Sequence, residues 1–347
     1  MAGRRGDGHR LIRWLWTSRR PDARLARAAL VPMAGLWRTS MAIRNLGYDR
    51  GWLTVHDLPL PTVAVGNLSV GGSGKTPIAG WIAHRYLARG IVPGILLRGY
   101  GQDEVLLHEQ AEPGAIVVAD PDRVAGARMA AGRGAKVLVL DDAYQRRDVR
   151  RDLNICVVSA ETSKAVRWSL PAGPWREPRS ALRRADALII TRKRADHGAA
   201  AELAEALAPR VEGPVAILHL GVSRYLGLVS GRDHAASELN GLRVVAASAI
   251  ADPEAFVAQT KATGAQVQVA TWRDHHEFSP EDVAWLAKAA RKADFVVVTE
   301  KDAVKLRDRW PASIPEPLVA RLDLTWEAGE AAIADRLDAL VAPIESL

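Results

Sequence analysis

A glycine-rich turn, placed between an apolar run and an amphipathic segment, constrains the fold of this chain more than any other stretch. Residues 62–65 are apolar and β-branched, as in a buried strand, and residues 71–74 lead into a segment with apolar side chains at helical spacing. A strand, a glycine turn and a helix in that order form a phosphate-binding loop, because glycines let backbone N–H groups turn inward at the positive end of a helix. The stretch therefore predicts nucleotide binding.

The residue types in this loop indicate separate roles. Lys75 is placed to reach the terminal phosphates, and Thr76 is placed to ligate Mg²⁺. Ser69 stands where the strict pattern G-x-x-x-x-G-K-[ST] has its first glycine, so the match is good but imperfect. A glycine-rich loop without function is the alternative. The residues expected to bind phosphate are Gly71, Gly72, Ser73, Gly74, Lys75 and Thr76.

A second apolar run, residues 137–140, ends in Asp141 and Asp142. In a parallel sheet these carboxylates would lie at the carboxyl end of a strand beside the phosphate loop, where one can hold Mg²⁺ directly or through water. A solvated strand end is the alternative reading. The presence of the upstream loop favours the metal site, with Thr76, Asp141 and Asp142 as its ligands.

Strand-like and helix-like segments alternate along the chain, which predicts an α/β fold with a mostly parallel sheet. We expect a P-loop domain and a second, smaller α/β domain joined by a short β-ribbon. The expected boundaries are residues 1–57 for an N-terminal basic amphipathic helical region, 58–214 for the nucleotide-binding domain, 215–240 for the ribbon and 241–347 for the C-terminal domain.

The charge balance limits the partners. The net charge is +7 and the pI is near 9.7, which favours anionic partners such as nucleotides, acidic lipid or a phosphorylated substrate. No zinc-finger spacing, RNP-type aromatic pattern or lysine-rich tail is present, so nucleic acid is not expected. No obligate protein partner is evident. Cys156, the single cysteine, excludes an internal disulfide and fits a core strand.

The N-terminal region raises the question of a membrane. Between Arg4 and Arg50, basic residues alternate with leucines, isoleucines and the tryptophans Trp14, Trp16 and Trp37. Such a segment can lie in a membrane interface, or it can be a helix packed on its own domain. A signal peptide is not expected, because arginines interrupt every apolar stretch and Pro32 breaks the longest of them.

Several stretches together resemble the tetraacyldisaccharide 4'-kinases, the lipid A kinases of Gram-negative bacteria, and they occur in the family's order. The matching stretches are residues 65–77, 98–101, 122–127, 140–142, 151–155, 170–178, 274–276 and 299–303. The sequences Leu-Pro-Ala-Gly-Pro from residue 170 and Thr-Glu-Lys-Asp-Ala from residue 299 discriminate far better than the phosphate loop does.

The resemblance implies ATP- and Mg²⁺-dependent phosphorylation of the 4'-hydroxyl of a tetraacylated glucosamine disaccharide 1-phosphate, which gives lipid IVA. The substrate would be a glycolipid taken from an anionic membrane surface. The protein would then be peripheral at the cytoplasmic face of the bacterial inner membrane, or cytoplasmic. The basic charge and the N-terminal tryptophans suit such a substrate.

The resemblance also implies catalytic residues, which are Lys75, Asp103 and His275. The family uses an aspartate in a Gly-Asp-Glu-Pro stretch as the base, assisted by a histidine from the second domain, and Asp103 and His275 are the best positions here. Asp103 follows an inserted Gln102 without the family's proline, and the segment that usually precedes it is missing. Arg146 also replaces a family histidine.

Two other classes of protein remain as alternatives. A P-loop switch or metallochaperone GTPase needs an Asn-Lys-x-Asp element that reads guanine, and the chain lacks one. A membrane-associated nucleotide binder without lipid kinase turnover would share the loop and the basic N-terminus. A zinc site at His275 and His276 is not expected, because adjacent residues on an extended segment point apart.

Overall fold

The computed structural model describes residues 7–99, 102–163 and 166–345 of the 347-residue chain. The helices are α1 Asp7–Thr17, α2 Pro21–Asp49, α3 Lys75–Ala88, α4 Gln102–Ala111, α5 Arg123–Gly132, α6 Ala160–Ser163, α7 His197–Leu207, α8 Pro253–Ala262, α9 Pro280–Ala290, α10 Glu300–Leu306 and α11 Glu330–Glu345. The strands are β1 Thr62–Asn67, β2 Pro93–Leu97, β3 Ile116–Ala119, β4 Val137–Leu140, β5 Leu153–Ser159, β6 Ala187–Arg192, β7 Val215–Gly227, β8 Asp233–Ala235, β9 Arg243–Ser248, β10 Gln266–Thr271, β11 Phe295–Thr299 and β12 Leu318–Ala328.

The chain divides into two compact units. The larger unit comprises Arg10–Leu218 and Trp326–Leu347, and the smaller unit is centred on His219–Thr325. Both are α/β units, as the alternation in the sequence predicts. Strands β7 and β8 pair antiparallel through residues 224–226 and 233–235, and the connecting ribbon at 215–240 stays a prediction.

The larger unit is built on a parallel sheet in which the strands follow the order β6-β5-β1-β4-β2-β3. Strand β1 lies inside this sheet and is buried along its whole length, which is why it reads as a continuous apolar run rather than an alternating one. It pairs with β4 on one side and β5 on the other. The loop after β1 and the residues after β4 therefore leave neighbouring strands at the same edge, where α/β sheets bind ligands.

Helix α3 begins at Lys75 and packs its apolar face on this sheet. Ile78, Ile82 and Tyr86 are fully buried at helical spacing. Pro77 lies in the first turn of the helix, where the missing N–H has no partner to lose. Helix packing thus fixes the direction in which the phosphate loop enters α3.

Helix α11 belongs to the larger unit, although we expected residues 241–347 to form one C-terminal domain. Arg85 donates two hydrogen bonds to Asp338, at 2.9 and 2.6 Å, and the Tyr86 hydroxyl donates to the carbonyl of Leu337. These contacts join α3 to α11 across more than 250 residues of chain. Sequence alternation does not report such long-range packing, so the expected boundary needs correction at residue 326.

The smaller unit has a parallel sheet with the order β10-β9-β11-β12. Helix α8 begins after the capping residue Asp252, and α9 begins after Ser279, which forms a capping box with Asp282. The carboxyl ends of β10 and β11 lead into the segments that contain His275 and Lys301.

The N-terminal region consists of α1 and the 29-residue helix α2. Helix α2 continues through Pro32. Pro32 and Ala28 are both exposed, so water can satisfy the carbonyl that loses its helical partner. Within the described residues, no helix combines the length and the apolar character required to cross a membrane.

Candidate active site

The phosphate loop adopts the conformation that its glycines permit. Gly71 and Gly74 have positive φ angles of 127° and 88°, a region that side chains with a Cβ rarely occupy. Ser69 is not among the residues with positive φ, and it pairs in extended conformation with Trp175. The loop therefore does not need glycine at position 69, which accounts for the departure from the strict pattern.

Side chains from neighbouring strands hold the loop from one side. The Thr191 hydroxyl donates to the Ser73 carbonyl at 2.8 Å, and Lys193 Nζ donates to the Gly72 carbonyl at 2.9 Å. Asn67 donates through its amide to the Ser73 hydroxyl. These contacts fix the carbonyls of the loop, and sequence reasoning missed all three residues because nothing in the local pattern marks them.

The start of α3 is suited to bind an anion. Gly74 is the N-cap residue, is left-handed, and offers no side chain that could cap the helix. The first backbone N–H groups of a helix have no partner within it and stand at the positive end of its dipole. The loop and helix together therefore have the arrangement that phosphate-binding sites use.

Lys75, Asp142 and Arg176 form an ionic cluster at this point. Asp142 Oδ1 lies 3.5 Å from Lys75 Nζ and 3.0 Å from Arg176 Nη1. Desolvation raises the pKa of Asp142, but the positive charges of Lys75 and Arg176 outweigh it and hold the pKa below its usual value. Asp142 is a rare non-glycine residue with positive φ, 51°, so its side chain is turned out of the line of β4 toward Lys75.

Asp141 is buried and makes different contacts. Its Oδ2 lies 3.3 Å from Nε2 of His108, a residue of α4 that is also buried. Its Oδ1 is buried and has no hydrogen-bond partner. Arg123 Nη2 donates to the backbone carbonyl of Asp141 at 3.4 Å, and burial lowers the pKa of this arginine to about 10. The two adjacent aspartates therefore have separate environments.

Asp103 lies in the first turn of α4 and is 1% exposed. Helix α4 begins at Gln102, directly after the matching stretch 98–101. Tyr100 and Gly101, which complete that stretch, lie outside the described residues.

Glu161 fixes the turn that carries Lys193, and no local pattern in the sequence marks this residue. Its Oε1 accepts hydrogen bonds from the backbone N–H groups of residues 193, 194 and 195. Burial raises the pKa of Glu161, but these bonds and one from Ser159 outweigh it and lower the pKa to about 2. Glu161 is therefore ionised and holds the Lys193 turn against the loop.

The segment after residue 170 packs beside the loop without a helix or a named strand until residue 179. Val70 donates its N–H to the carbonyl of Pro174, and Arg176 donates its N–H to the carbonyl of Leu68. Glu177 is completely buried and receives two hydrogen bonds of 2.9 Å from Arg184. The segment thus carries Arg176 to Asp142.

His275 lies in the smaller unit, with a positive φ of 57°. Its Nε2 lies 3.2 Å from Lys301 Nζ, and its N–H donates to the carbonyl of Ala249. The N–H of Ala249 donates in turn to Asp302, which is fully buried. Burial raises the pKa of Asp302 to about 6.

His276 is directed elsewhere, as expected for adjacent residues. Its Nε2 lies 2.8 Å from Asp282 Oδ2. Nowhere in residues 7–99, 102–163 and 166–345 do three or more His, Cys, Asp or Glu side chains group as ligands for a metal ion.

Comparison with known proteins gives a consistent result. The sequence profile of the tetraacyldisaccharide-1-P 4'-kinases matches residues 26–105 and 102–342, two segments that meet at Asp103. The tetraacyldisaccharide 4'-kinase of Chlorobaculum parvum is 35% identical, over 83% of this chain and 86% of the relative. The same enzyme of an Anaeromyxobacter species, strain Fw109-5, is 34% identical, over 96% of this chain and 97% of the relative.

A solved structure is similar over nearly the same length. The crystal structure of LpxK from Aquifex aeolicus, described as an apo form in complex with ATP, matches with a TM-score of 0.70 and 26% sequence identity. The match covers 91% of this chain and 99% of the other.

Proposed function

The chain belongs to the family of tetraacyldisaccharide-1-P 4'-kinases, and on that premise we propose how its residues transfer the γ-phosphoryl group of ATP to the 4'-hydroxyl of a tetraacylated disaccharide 1-phosphate. The proposal rests on the cluster of Lys75, Asp142 and Arg176. This cluster lies where the glycine loop leads into α3, a helix whose N-terminus has no side-chain cap. Phosphoryl transfer is catalysed mainly by positioning and by neutralising charge, and this cluster offers both.

ATP would bind with its phosphates in the loop. The backbone N–H groups of Gly71, Gly72, Ser73 and Gly74 and the start of α3 would bind the phosphate oxygens. Lys75 would exchange part of its contact with Asp142 for the γ-phosphate, while Arg176 continues to neutralise that aspartate. The contact with Asp142 thereby holds the lysine close to the phosphate site.

The residues also fit a magnesium ion. Asp141 Oδ1 is a buried carboxylate oxygen without a hydrogen-bond partner, and the Thr76 hydroxyl lies in the first turn of α3 next to the loop. Mg²⁺ is commonly held by one or two carboxylates together with phosphate oxygens and water, so Asp141, Asp142 and Thr76 would hold it. When bound, the ion would offset the negative charge that develops on the transferred group.

We propose that Asp103 is the general base that accepts the proton of the 4'-hydroxyl, and that His275 assists it. A buried carboxylate on a helix is held in one orientation, and in general an imidazole can fix the geometry of a catalytic carboxylate and share its proton. His275 has the left-handed conformation that non-glycine residues adopt at functional sites, and Lys301 and Ala249 hold it in place. Both assignments follow the family's pattern.

The N-terminal helices would bring the glycolipid from a membrane surface. Leu25 and Leu36 on α2 are each 73% exposed, and Ile43 is 64% exposed. The same helix is fixed beside the site, because the Trp37 indole donates to the carbonyl of Arg176 and Asn45 donates to Glu177. Exposed apolar and basic side chains on one helix suit peripheral binding to an anionic bilayer.

The kinase reaction is tested by incubating the purified chain with γ-labelled ATP, Mg²⁺ and the tetraacyl disaccharide monophosphate in detergent. We expect label in the lipid with the wild type and none above background with Lys75→Met. Lys136→Met is the matched control, because Lys136 is exposed and lies just before β4, at the end of that strand away from Asp141. Intact ATP binding without labelled lipid would overturn the proposed roles.

A further inference from the structure

Helix α4 buries polar side chains instead of apolar ones. Among its described side chains only Asp103 and His108 are buried, at 1% and 2% exposure, while Leu106 is 37% exposed. A surface helix ordinarily buries an apolar stripe. The helix is therefore held in place by a polar contact, and the partner of that contact is Asp141.

The contact with Asp141 has a defined chemistry. An ionised carboxylate only accepts hydrogen bonds, so Nε2 of His108 is the donor to Oδ2 of Asp141, at 3.3 Å. With Oδ2 taken by His108, the buried Oδ1 is the oxygen that has no partner. An unsatisfied buried carboxylate oxygen is costly, which indicates that Oδ1 is reserved for a ligand.

We propose that His108 is a positioning residue that turns the Asp141 carboxylate so that Oδ1 faces the divalent cation. The same hydrogen bond anchors α4, which carries Asp103 five residues before His108. One contact therefore fixes the positions of both the metal-binding carboxylate and the base. This inference rests on the proposed function. Partners that orient a metal-binding carboxylate typically contribute tenfold or more to metal affinity.

The test measures metal binding directly rather than turnover. Mn²⁺ is titrated into the full chain together with a non-hydrolysable ATP analogue, and free Mn²⁺ is counted by electron paramagnetic resonance. His108→Leu removes the donor at similar volume, and we expect Mn²⁺ to bind about tenfold or more weakly. His108→Gln places an amide nitrogen close to the position of Nε2, and it should restore most of that affinity.

Two controls separate positioning from folding. Affinity for the analogue in EDTA should be the same in all variants, because the hydrogen bond of His108 goes to Asp141 and the loop binds the phosphates. His84→Leu removes another histidine–carboxylate pair of the larger unit, with Glu112 at 3.2 Å, and should bind Mn²⁺ as the wild type does. If the leucine protein does not fold, His108→Asn serves instead, since its amide is too short to reach Oδ2 and should lose affinity where His108→Gln does not.

Wild-type Mn²⁺ affinity in His108→Leu would overturn the inference, and so would a glutamine variant as weak as the leucine variant. The outcome is independent of the kinase reaction. A chain that fails to label lipid but shows this His108 dependence would lose the proposed function and keep the positioning role. Normal labelling with unchanged Mn²⁺ affinity would remove the positioning role alone.

Discussion

Removing the charge of Glu177 should destabilise the larger unit strongly. Glu177 is completely buried, and it accepts two hydrogen bonds from Arg184 and one from Asn45, at 2.9, 2.9 and 2.8 Å. Glu177→Gln keeps the shape of the side chain but leaves the largely buried Arg184 guanidinium without a counter-charge. Breaking a buried pair from one side costs about 3–5 kcal/mol, and we expect a loss of that size in the free energy of unfolding.

The same pair sets a pH dependence whose sign follows from its pKa. Burial raises the pKa of Glu177, but the bonds from Arg184 and Asn45 outweigh it and hold the pKa below the usual value. A depressed carboxylate pKa gives stability that is complete above the pKa of the unfolded chain and is lost as the pH falls through the folded value. The difference between wild type and Glu177→Gln should therefore shrink below about pH 4.

Urea unfolding followed by tryptophan fluorescence measures the effect. Adding Arg184→Met to Glu177→Gln should recover part of the loss, because it removes the unpaired charge. Asp294→Asn is the matched control, since Asp294 pairs with Arg243 at the surface, where ion pairs contribute little to stability. A loss below about 1 kcal/mol in Glu177→Gln would refute the view that this pair is desolvated and strongly coupled.

Three further changes test other parts of the structure. Asp103→Asn should lower kcat by about a hundredfold or more while KM for ATP stays nearly constant; equal turnover in steady-state assays would move the base elsewhere. Gly66→Ala would place a Cβ 2.5 Å from the backbone nitrogen of Tyr144, so thermal unfolding should show a loss of at least about 1–3 kcal/mol, and an unchanged midpoint would contradict this packing. Leu36→Ser with Ile43→Ser should weaken binding to anionic vesicles about tenfold per side chain in sedimentation assays; unchanged binding would exclude this face of α2 as the membrane contact.

The parts of the fold that the sequence predicts are those with local signals. Strand β1, the glycine loop and the start of α3 lie within fifteen residues of one another, and each has its own marker in composition or spacing. The same is true of Asp141 and Asp142 at the end of β4. Local chemistry decides these elements, so local reasoning finds them.

The contacts that sequence reasoning missed join distant segments. His108 and Asp141 are 33 residues apart, and Thr191 reaches Ser73 across 118 residues. Neither pair produces a periodic pattern in the sequence. A single polar side chain in a helix or at a strand end is ordinarily interpreted as exposed to solvent.

The position of α11 bears on how the protein folds during synthesis. Domains generally fold as units in the order in which the ribosome makes them. Here residues 219–325 are made before the segment that supplies Asp338 to Arg85 and Leu337 to Tyr86. The inserted unit can therefore fold while α3, the helix that follows the phosphate loop, still lacks its contacts with α11. Synthesis of the nucleotide-binding unit therefore begins before that of the inserted unit and ends after it.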